Sequence, residues 1–278
     1  MSYRTRRRRS TRRERKANRV GTVFFTAIIL VIALMVFALP QFRISSITTT
    51  GTRVITQKQI TQMLDIKEGD HLFRGINGSL KDLFQMRHTN SEKILRKNLP
   101  YLKDVTIRSV FPSKLSITLD ERIEVAYIAI SDGCVIIDSE GVVLEVLRES
   151  GSLGIPVIEG ISVSRVQAGE IAAVDLPDAL ENAIMLLNDI INADKDTSVQ
   201  VKLLPGIRSI RPIQDDILFI TLLLPDTDEE FIVKVKNSKE NAEKMKWLRY
   251  AIEQGKLEGQ GKGILDITTP QKVFIPEK

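Results

Sequence analysis

Val20 to Leu39 is a run of twenty residues without a charge, placed directly behind a dense arginine cluster, and it constrains every other part of the chain. A helix of that length reaches about 30 Å, the hydrocarbon thickness of a bilayer. Core helices keep a polar face, whereas here only Thr22 and Thr26 interrupt Val, Phe, Ile, Leu, Met, Ala and Gly. A cleaved signal peptide needs a shorter apolar stretch and a small-x-small site, and this one ends Phe37-Ala38-Leu39-Pro40-Gln41. The expectation is one uncleaved transmembrane helix from Val20 to Leu39, with a short tail on one side and 239 residues on the other.

Charge sets the direction of insertion. The first 19 residues hold ten Lys or Arg against the single acid Glu14, a net +9, while the whole chain is only +5. Residues 20 to 278 are net −4, so the basic character belongs to the tail alone. Basic residues flanking a span stay cytoplasmic, which places the amino terminus inside and the carboxyl-terminal body outside. A basic tail without apolar residues also touches anionic lipid or nucleic acid nonspecifically, but topology accounts for its position beside the span, and no specific nucleic-acid partner is expected.

The body suits two modest domains. Its one cysteine, Cys134, excludes an intrachain disulfide, and the context Gly133-Cys134-Val135-Ile136-Ile137 places it as a small apolar residue in a buried strand. Phe42 to Gly51 is strand-like. Thr56 and Gln59 have capping-box spacing, Ile55 and Ile60 are set as a staple, and the helix they open carries Ile60, Met63 and Leu64 to a stop at Lys67-Glu68-Gly69-Asp70. Leu80, Leu83 and Phe84 predict a short second helix, and Thr89 with Glu92 repeats the capping spacing before Ile94, Leu95 and Leu99. Val105 and Ile107, then Leu115, Ile117 and Leu119, alternate with polar residues about the turn Phe111-Pro112-Ser113-Lys114, a β-hairpin.

Beyond it, three strands from Val125 to Leu147 alternate with the turns Ser131-Asp132-Gly133 and Asp138-Ser139-Glu140-Gly141. Ile155 to Gly160 is extended. Asp175 is placed to cap a helix bearing Leu180, Ile184, Leu187 and Ile191. Strands are expected at Val199 to Leu203, Ile217 to Leu224 and Phe231 to Val235, then a helix with Met245, Leu248 and Ile252 stopping near Gly255, and closing strands at Ile264 to Ile267 and Val273 to Ile275.

The order strand, helix, helix, strand, strand just beyond a span, ending Phe111-Pro112-Ser113-Lys114-Leu115-Ser116-Ile117-Thr118-Leu119-Asp120-Glu121-Arg122, resembles a POTRA domain. Val125-Ala126-Tyr127-Ile128 and Val135 to Leu144 continue as the β-domain of the bacterial cell-division family FtsQ/DivIB begins. Three positions depart from that pattern: Glu124 replaces a common proline, Arg74 to His88 is longer, and Thr268 stands where an arginine often follows the aspartate. The implied fold class is α+β: a basic tail (1–19), one transmembrane helix (20–40), a POTRA domain (42–120) and a mostly antiparallel β-domain with flanking helices (121–278).

Chemistry-bearing motifs are sparse. His71 and His88 lie outside metal-ligand spacing and read as solvated surface residues, and nothing activates Cys134 as a nucleophile. Gly259-Gln260-Gly261-Lys262-Gly263 lacks the hydroxyl residue of a phosphate loop and leads from helix to strand, so it is a connector. Asp226-Thr227-Asp228-Glu229-Glu230 lacks EF-hand spacing and is a solvated turn. No catalytic, cofactor or metal site is expected.

The resemblance implies a non-enzymatic, single-pass scaffold of the bacterial division complex at the septum, binding FtsL-like and FtsB/DivIC-like small division proteins and serving the septal peptidoglycan synthesis machinery. It further implies that the membrane-distal end of the β-domain captures a partner strand near the final strands. The matching residues are Thr269, Gln271, Lys272, Val273 and Phe274, between Pro270 and Pro276. Lys272 is expected to act on a partner's charge without affecting the isolated fold. The alternative is a membrane-anchored envelope hydrolase with a carboxylate site.

Overall fold

Residues 21–32 are helical (α1) and carry their apolar side chains, Phe24 and Phe25 among them, on the outside. The one polar hydroxyl in the middle turns inward: Thr26 Oγ1 donates to the Thr22 carbonyl at 3.0 Å and the Val23 carbonyl at 2.9 Å. The computed structural model describes residues 21–32, 35, 39–76, 79–148, 153–213, 216–225, 229–238 and 241–277. Among these no helix is long and apolar enough to cross a membrane. The expected span begins at Val20 and includes residues 33, 34 and 36–38, which lie outside the described residues, as do the basic tail and Asp226 to Asp228 of the acidic turn.

The chain divides into two compact units, one of residues up to Thr52 with Thr56–Ile94 and Val105–Leu119, the other of Arg53–Ile55, Leu95–Asp104 and Asp120–Lys278. In order, the first part of the chain forms β1 (Ser46–Thr50), α2 (Gln57–Leu64), α3 (Leu80–Phe84), α4 (Thr89–Asn98), β2 (Leu102–Val110) and β3 (Lys114–Glu121). The three strands order as β1-β3-β2, with β1 parallel to β3 and Ser46 opposite Lys114. Alternation along β2 and β3 buries Val105, Ile107, Leu115, Ile117 and Leu119, and Ile60 and Leu72 are buried with them. Each such side chain is worth about 1.5–3 kcal/mol.

Local signals explain most of these elements, and four differ from expectation. Thr56 and Gln59 do form a reciprocal capping box, but α2 ends at Asp65 in the left-handed region (φ 48°), before the Lys67–Asp70 turn. The β1 strand starts only at Ser46, because Pro40–Phe42 is a 3-10 turn. An unexpected second box, Ser79 with Asp82, opens α3. Glu92 does not cap α4; its carboxylate is buried and accepts the N–H of Ile107 at 2.9 Å and Nε of Arg87 at 2.8 Å. The Thr89 hydroxyl instead donates to Asp82 at 2.9 Å.

Both histidines also depart from the solvated reading. His88 is buried, with Nε2 2.8 Å from the Ser109 hydroxyl and Nδ1 without a hydrogen-bond partner. His71 is half-buried in a bridge with Arg43, its ring 5.5 Å from that of Phe73.

The second unit is built on nine strands. They are β4 (Glu124–Ile130), β5 (Gly133–Asp138), β6 (Val143–Leu147), β7 (Val157–Ile158), then, beyond a small two-stranded ribbon of β8 (Val163–Arg165) and β9 (Ala173–Val174) and the helix α5 (Pro177–Asp194), β10 (Ile207–Pro212), β11 (Ile217–Leu223) and β12 (Glu230–Lys236). After the helix α6 (Asn241–Glu253) come β13 (Gly263–Asp266) and β14 (Val273–Pro276). The sheet order is β14-β13-β12-β11-β10-β7-β4-β5-β6. Pairing is antiparallel except for β12 with β13 and for β7 with both of its neighbours. The architecture is therefore α+β, with a β-rich, mostly antiparallel second unit.

Leu180, Leu186, Leu187 and Ile190 of α5 join Met245, Leu248 and Ile252 of α6 in one core with Phe231, Val233, Val235 and Leu265. Cys134 is buried in β5, where burial pushes its thiol above the ordinary value. Asp138 organises the expected turn by accepting the N–H groups of Glu140 and Val142 while pairing with Arg122. Two expectations fail. Asp175 does not cap α5, whose N-cap is Leu176; its carboxylate accepts the Ser162 N–H instead. Val199 to Leu203 is not a strand, since the carbonyls of Val199 and Val201 turn to the buried Arg249, and the strand lies further on at β10.

Candidate partner-binding edge

β14 is the terminal strand of the nine, paired with β13 alone, and its register sets Ile264 opposite Ile275, Leu265 opposite Phe274 and Asp266 opposite Val273. Just past the strand, Glu277 N–H donates to the carbonyl of Lys262 at 2.9 Å. In an antiparallel ladder, inward and outward backbone groups alternate by residue. Val273 and Ile275 therefore direct their amides and carbonyls to β13, while Phe274 directs both outward. Pro276, the next outward position, has only a carbonyl to offer. The exposed edge is short and stops itself.

Side chains follow the opposite logic. Phe274 packs inward, its ring 5.8 Å from Phe231, and Gly263 leaves room for it: a Cβ there would fall 2.5 Å from the Phe274 ring and 2.6 Å from the Ile275 carbonyl. On the other face the registers of β12, β13 and β14 line up Ile232, Ile264 and Ile275. Ile232 and Ile275 are exposed. The three edge a groove of about 430 Å³ whose lining also includes the charged residues Glu230, Lys262 and Glu277. In the neighbouring row Lys234 lies 3.2 Å from Asp266, and Val273 stands opposite Asp266 at the edge. Burial opposes the charge on Asp266, but hydrogen bonds from the hydroxyl and N–H of Thr268, with Lys234, hold its carboxyl below the ordinary value. Thr268 thus completes the turn by which β13 reaches the edge.

Of the residues expected at this site, Val273 is exposed on the outer face, Phe274 contributes its backbone to the edge and its ring to the core, and Thr269 and Gln271 form the turn, the Thr269 hydroxyl donating to the Gln271 carbonyl at 2.8 Å. Lys272 is not independent of the fold. Its Nζ donates to the Pro270 carbonyl at 3.1 Å and sits 4.7 Å from the centroid of the Trp247 ring. The row of isoleucines is absent from the sequence expectations, although the outward phase of β12, where Ile232 stands between inward Phe231 and Val233, carries the signal.

Among the described residues no group of three or more His, Cys, Asp or Glu is placed to hold a metal ion. One carboxylate-bearing depression is lined by Asp189, whose pKa burial raises, and by Asp216, which accepts from Asn182 Nδ2 at 3.2 Å. No histidine lines it; a smaller depression of about 110 Å³ brings His88 and Ser91 beside Asp65 and Asp70, but there Asp70 pairs with Arg74 at 2.8 Å and His88 Nε2 is taken by the Ser109 hydroxyl.

Residues 42–122 match the family model of the POTRA domain, FtsQ-type. The chain is 26% identical over 141 residues to the cell division protein DivIB of Clostridium acetobutylicum, covering 51% of this chain and 52% of that one. It is 26% identical over 165 residues to the cell division protein FtsQ of Corynebacterium glutamicum, covering 59% and 65%. A solved structure, the major extracytoplasmic domain of DivIB from Geobacillus stearothermophilus, is 16% identical at a TM-score of 0.29, over 50% of this chain and 96% of that one. The matches span 52% to 65% of the length of the two curated relatives. The resemblance to the FtsQ/DivIB proteins is thereby shown, and the first part of the body carries a POTRA domain of the FtsQ type.

Proposed function

We propose, from this resemblance, that the chain is a non-enzymatic scaffold of the bacterial division complex, anchored by one helix over Val20 to Leu39. Its tail is cytoplasmic, its body extracytoplasmic, and it acts at the septum. On this reading the domains are a tail (1–19), a span (20–40), a POTRA domain (42–120) and a β-domain (121–278). Support for the span comes from the apolar exterior of α1 and the internally satisfied Thr26 hydroxyl, which suit lipid.

The observation that carries the scaffold reading is the edge of β14. An outward amide and carbonyl at Phe274, ended by Pro276 and backed by Ile232, Ile264 and Ile275, accept one added strand with apolar side chains and resist open-ended pairing. The partner is a small single-pass division protein of the FtsB/DivIC kind, with an FtsL-like protein and the septal wall-synthesis machinery in the same assembly.

Purification of the full chain from dividing cells, intact and cut before Thr269, tests this. The intact chain should bring down a small single-pass protein that the shortened chain leaves behind. Because the cut also removes the Phe274 ring and the Lys272 cation and so lowers melting, Ile275→Asp, which removes neither, should lose the same protein at unchanged melting. Equal recovery by the intact and shortened chains would end the strand-addition reading. Reporter fusions at the two termini test the topology, and a cytoplasmic carboxyl terminus would overturn it.

A further inference from the structure

We propose that one end of the first unit lies on the bilayer surface itself, through an apolar face rimmed by basic side chains that meet anionic headgroups. The proposal rests on the reading of Val20 to Leu39 as the membrane span.

Three pieces of chain converge on that end of the sheet. Because β1 runs parallel to β3 with Ser46 opposite Lys114, the chain enters the sheet beside the turn between β2 and β3, and Ser45 N–H donates to the Ser113 carbonyl at 2.7 Å. The rings of Phe42 and Phe73 meet Phe111 there, at 5.9 and 5.8 Å. Met86 to His88 run antiparallel along the edge of β2, with His88 N–H donating to the Ile107 carbonyl at 3.0 Å and Ser109 N–H to the Met86 carbonyl at 2.9 Å. That register carries the chain preceding Met86 past Val110, so α3 is brought to the same end.

What α3 does there is unusual for a soluble surface. The Ser79 and Asp82 box holds a helix that buries none of its residues, and it leaves Leu80 77%, Leu83 50% and Phe84 86% exposed. Phe111, in the adjoining turn, is 53% exposed. Arg43, Lys81 and Lys114, one beside each of these apolar groups, are exposed as well. Leucine and aromatic rings that sink to the acyl boundary, with Lys and Arg reaching back to the headgroups, are the composition of an interfacial surface.

The tether selects the bilayer over a diffusing protein as occupant. Phe42 follows Leu39, the last residue of the uncharged run, by three positions, so about 11 Å of chain at most separates them. A membrane held that close is presented at an effective concentration that a free partner does not match.

The test uses the full chain in vesicles of phosphatidylglycerol and phosphatidylethanolamine, with Cys134→Ala removing the native thiol and a nitroxide label introduced in turn at Phe84→Cys, Ile28→Cys and Thr52→Cys. Thr52 is exposed and follows β1 at the opposite end of the sheet. Labels at 84 and 28 should collide with lipid-soluble oxygen several-fold more often than with an aqueous nickel chelate, relative to the label at 52. If 28 contacts lipid and 84 behaves like 52, the span stands and the surface contact is refuted. If 28 does not contact lipid, the span fails and the inference falls with it. Shielding of 84 from the chelate without oxygen contact would assign the face to a protein and equally overturn the proposal.

Discussion

The carboxylate of Glu92 accepts the main-chain N–H of Ile107 at 2.9 Å in the interior of the first unit, where only 1% of the glutamate reaches solvent. Helix α4 and strand β2 are joined by a charge-assisted hydrogen bond that no backbone ladder supplies. Arg87 completes it from a partly exposed position, with Nε 2.8 and 3.0 Å from the two carboxylate oxygens.

Truncating Glu92 to Ala leaves the Ile107 N–H buried without an acceptor, which costs about 1–3 kcal/mol, on top of the lost charged pair. Glu92→Gln keeps an acceptor oxygen and is expected to lose less. Hydrogen exchange at the Ile107 amide of the full chain checks this: it should accelerate most in the alanine variant and by an intermediate amount in the glutamine variant.

His88 gives the first unit a pH dependence. Burial disfavours its charged form and lowers its pKa below the ordinary 6.5, although the Glu92 charge acts in the opposite direction. The unfolded chain therefore binds the proton first. Stability is at its full value above the unfolded pKa and falls as pH drops from about 7 through 6.5 toward the folded pKa, below which it levels. The carboxylates with lowered values, Asp70 and Asp82 among them, act only at lower pH. Urea midpoints of the full chain between pH 7.5 and 5.5 should decline, and His88→Gln should flatten the decline. An equal slope in both proteins would remove His88 as its source.

Arg249 performs a comparable service in the second unit. It is 1% exposed, and its guanidinium donates to the carbonyls of Ala193, Asp196, Val199 and Val201 while facing Asp194 at 3.3 Å. Lysine cannot reproduce this planar fork. Arg249→Lys should cost about 2–4 kcal/mol, since several buried carbonyls lose their donor at once. Proteolysis should then cut first within Asp196 to Leu203, whose backbone has no strand partner.

Those two buried charges also mark where local sequence patterns stop being readable. Alternation in β2, β3, β11 and β12 and the Thr56 box are local patterns, visible as soon as the periods are counted, and they lead to the right elements. Glu92 has the spacing of a capping residue and the chemistry of a surface one. Only the pairing of β2 beside α4 gives it the Ile107 amide, a partner fifteen residues away. Val199 to Leu203 has strand composition, yet its carbonyls are claimed by a helix some fifty residues later. His88 reads as solvated because its neighbours are polar, while its burial comes from β2 and Ser109. At the candidate edge the segment is legible and the roles within it are not. Phe274 falls on the expected strand, but the division of backbone to the outside and ring to the inside depends on the phase set by Lys262 and Glu277.

That division changes which substitution tests the edge. Lys272→Glu is the natural probe only for a side chain independent of the fold; here it removes a cation held over Trp247 and brings a carboxylate toward the Pro270 carbonyl. A cation over an indole is worth about 0.5–1 kcal/mol at an exposed site, so the variant should lower the melting temperature by a few degrees. Any loss of capture in it then mixes two causes. Ile275→Asp separates them, because Ile275 is half exposed, its backbone faces β13 and its side chain lies on the outer face beside Ile264. Placing a carboxylate there removes apolar area from the groove without opening the core, so the body should melt within about a degree of the parent, as surface substitutions do. Copurification of the small division partner should fall sharply, and Ile232→Asp, two strands in from the edge, should weaken it by a smaller amount. Retention of the partner by Ile275→Asp, at unchanged melting, would take the isoleucine row out of the interface and leave β14 as no more than the last strand of the sheet.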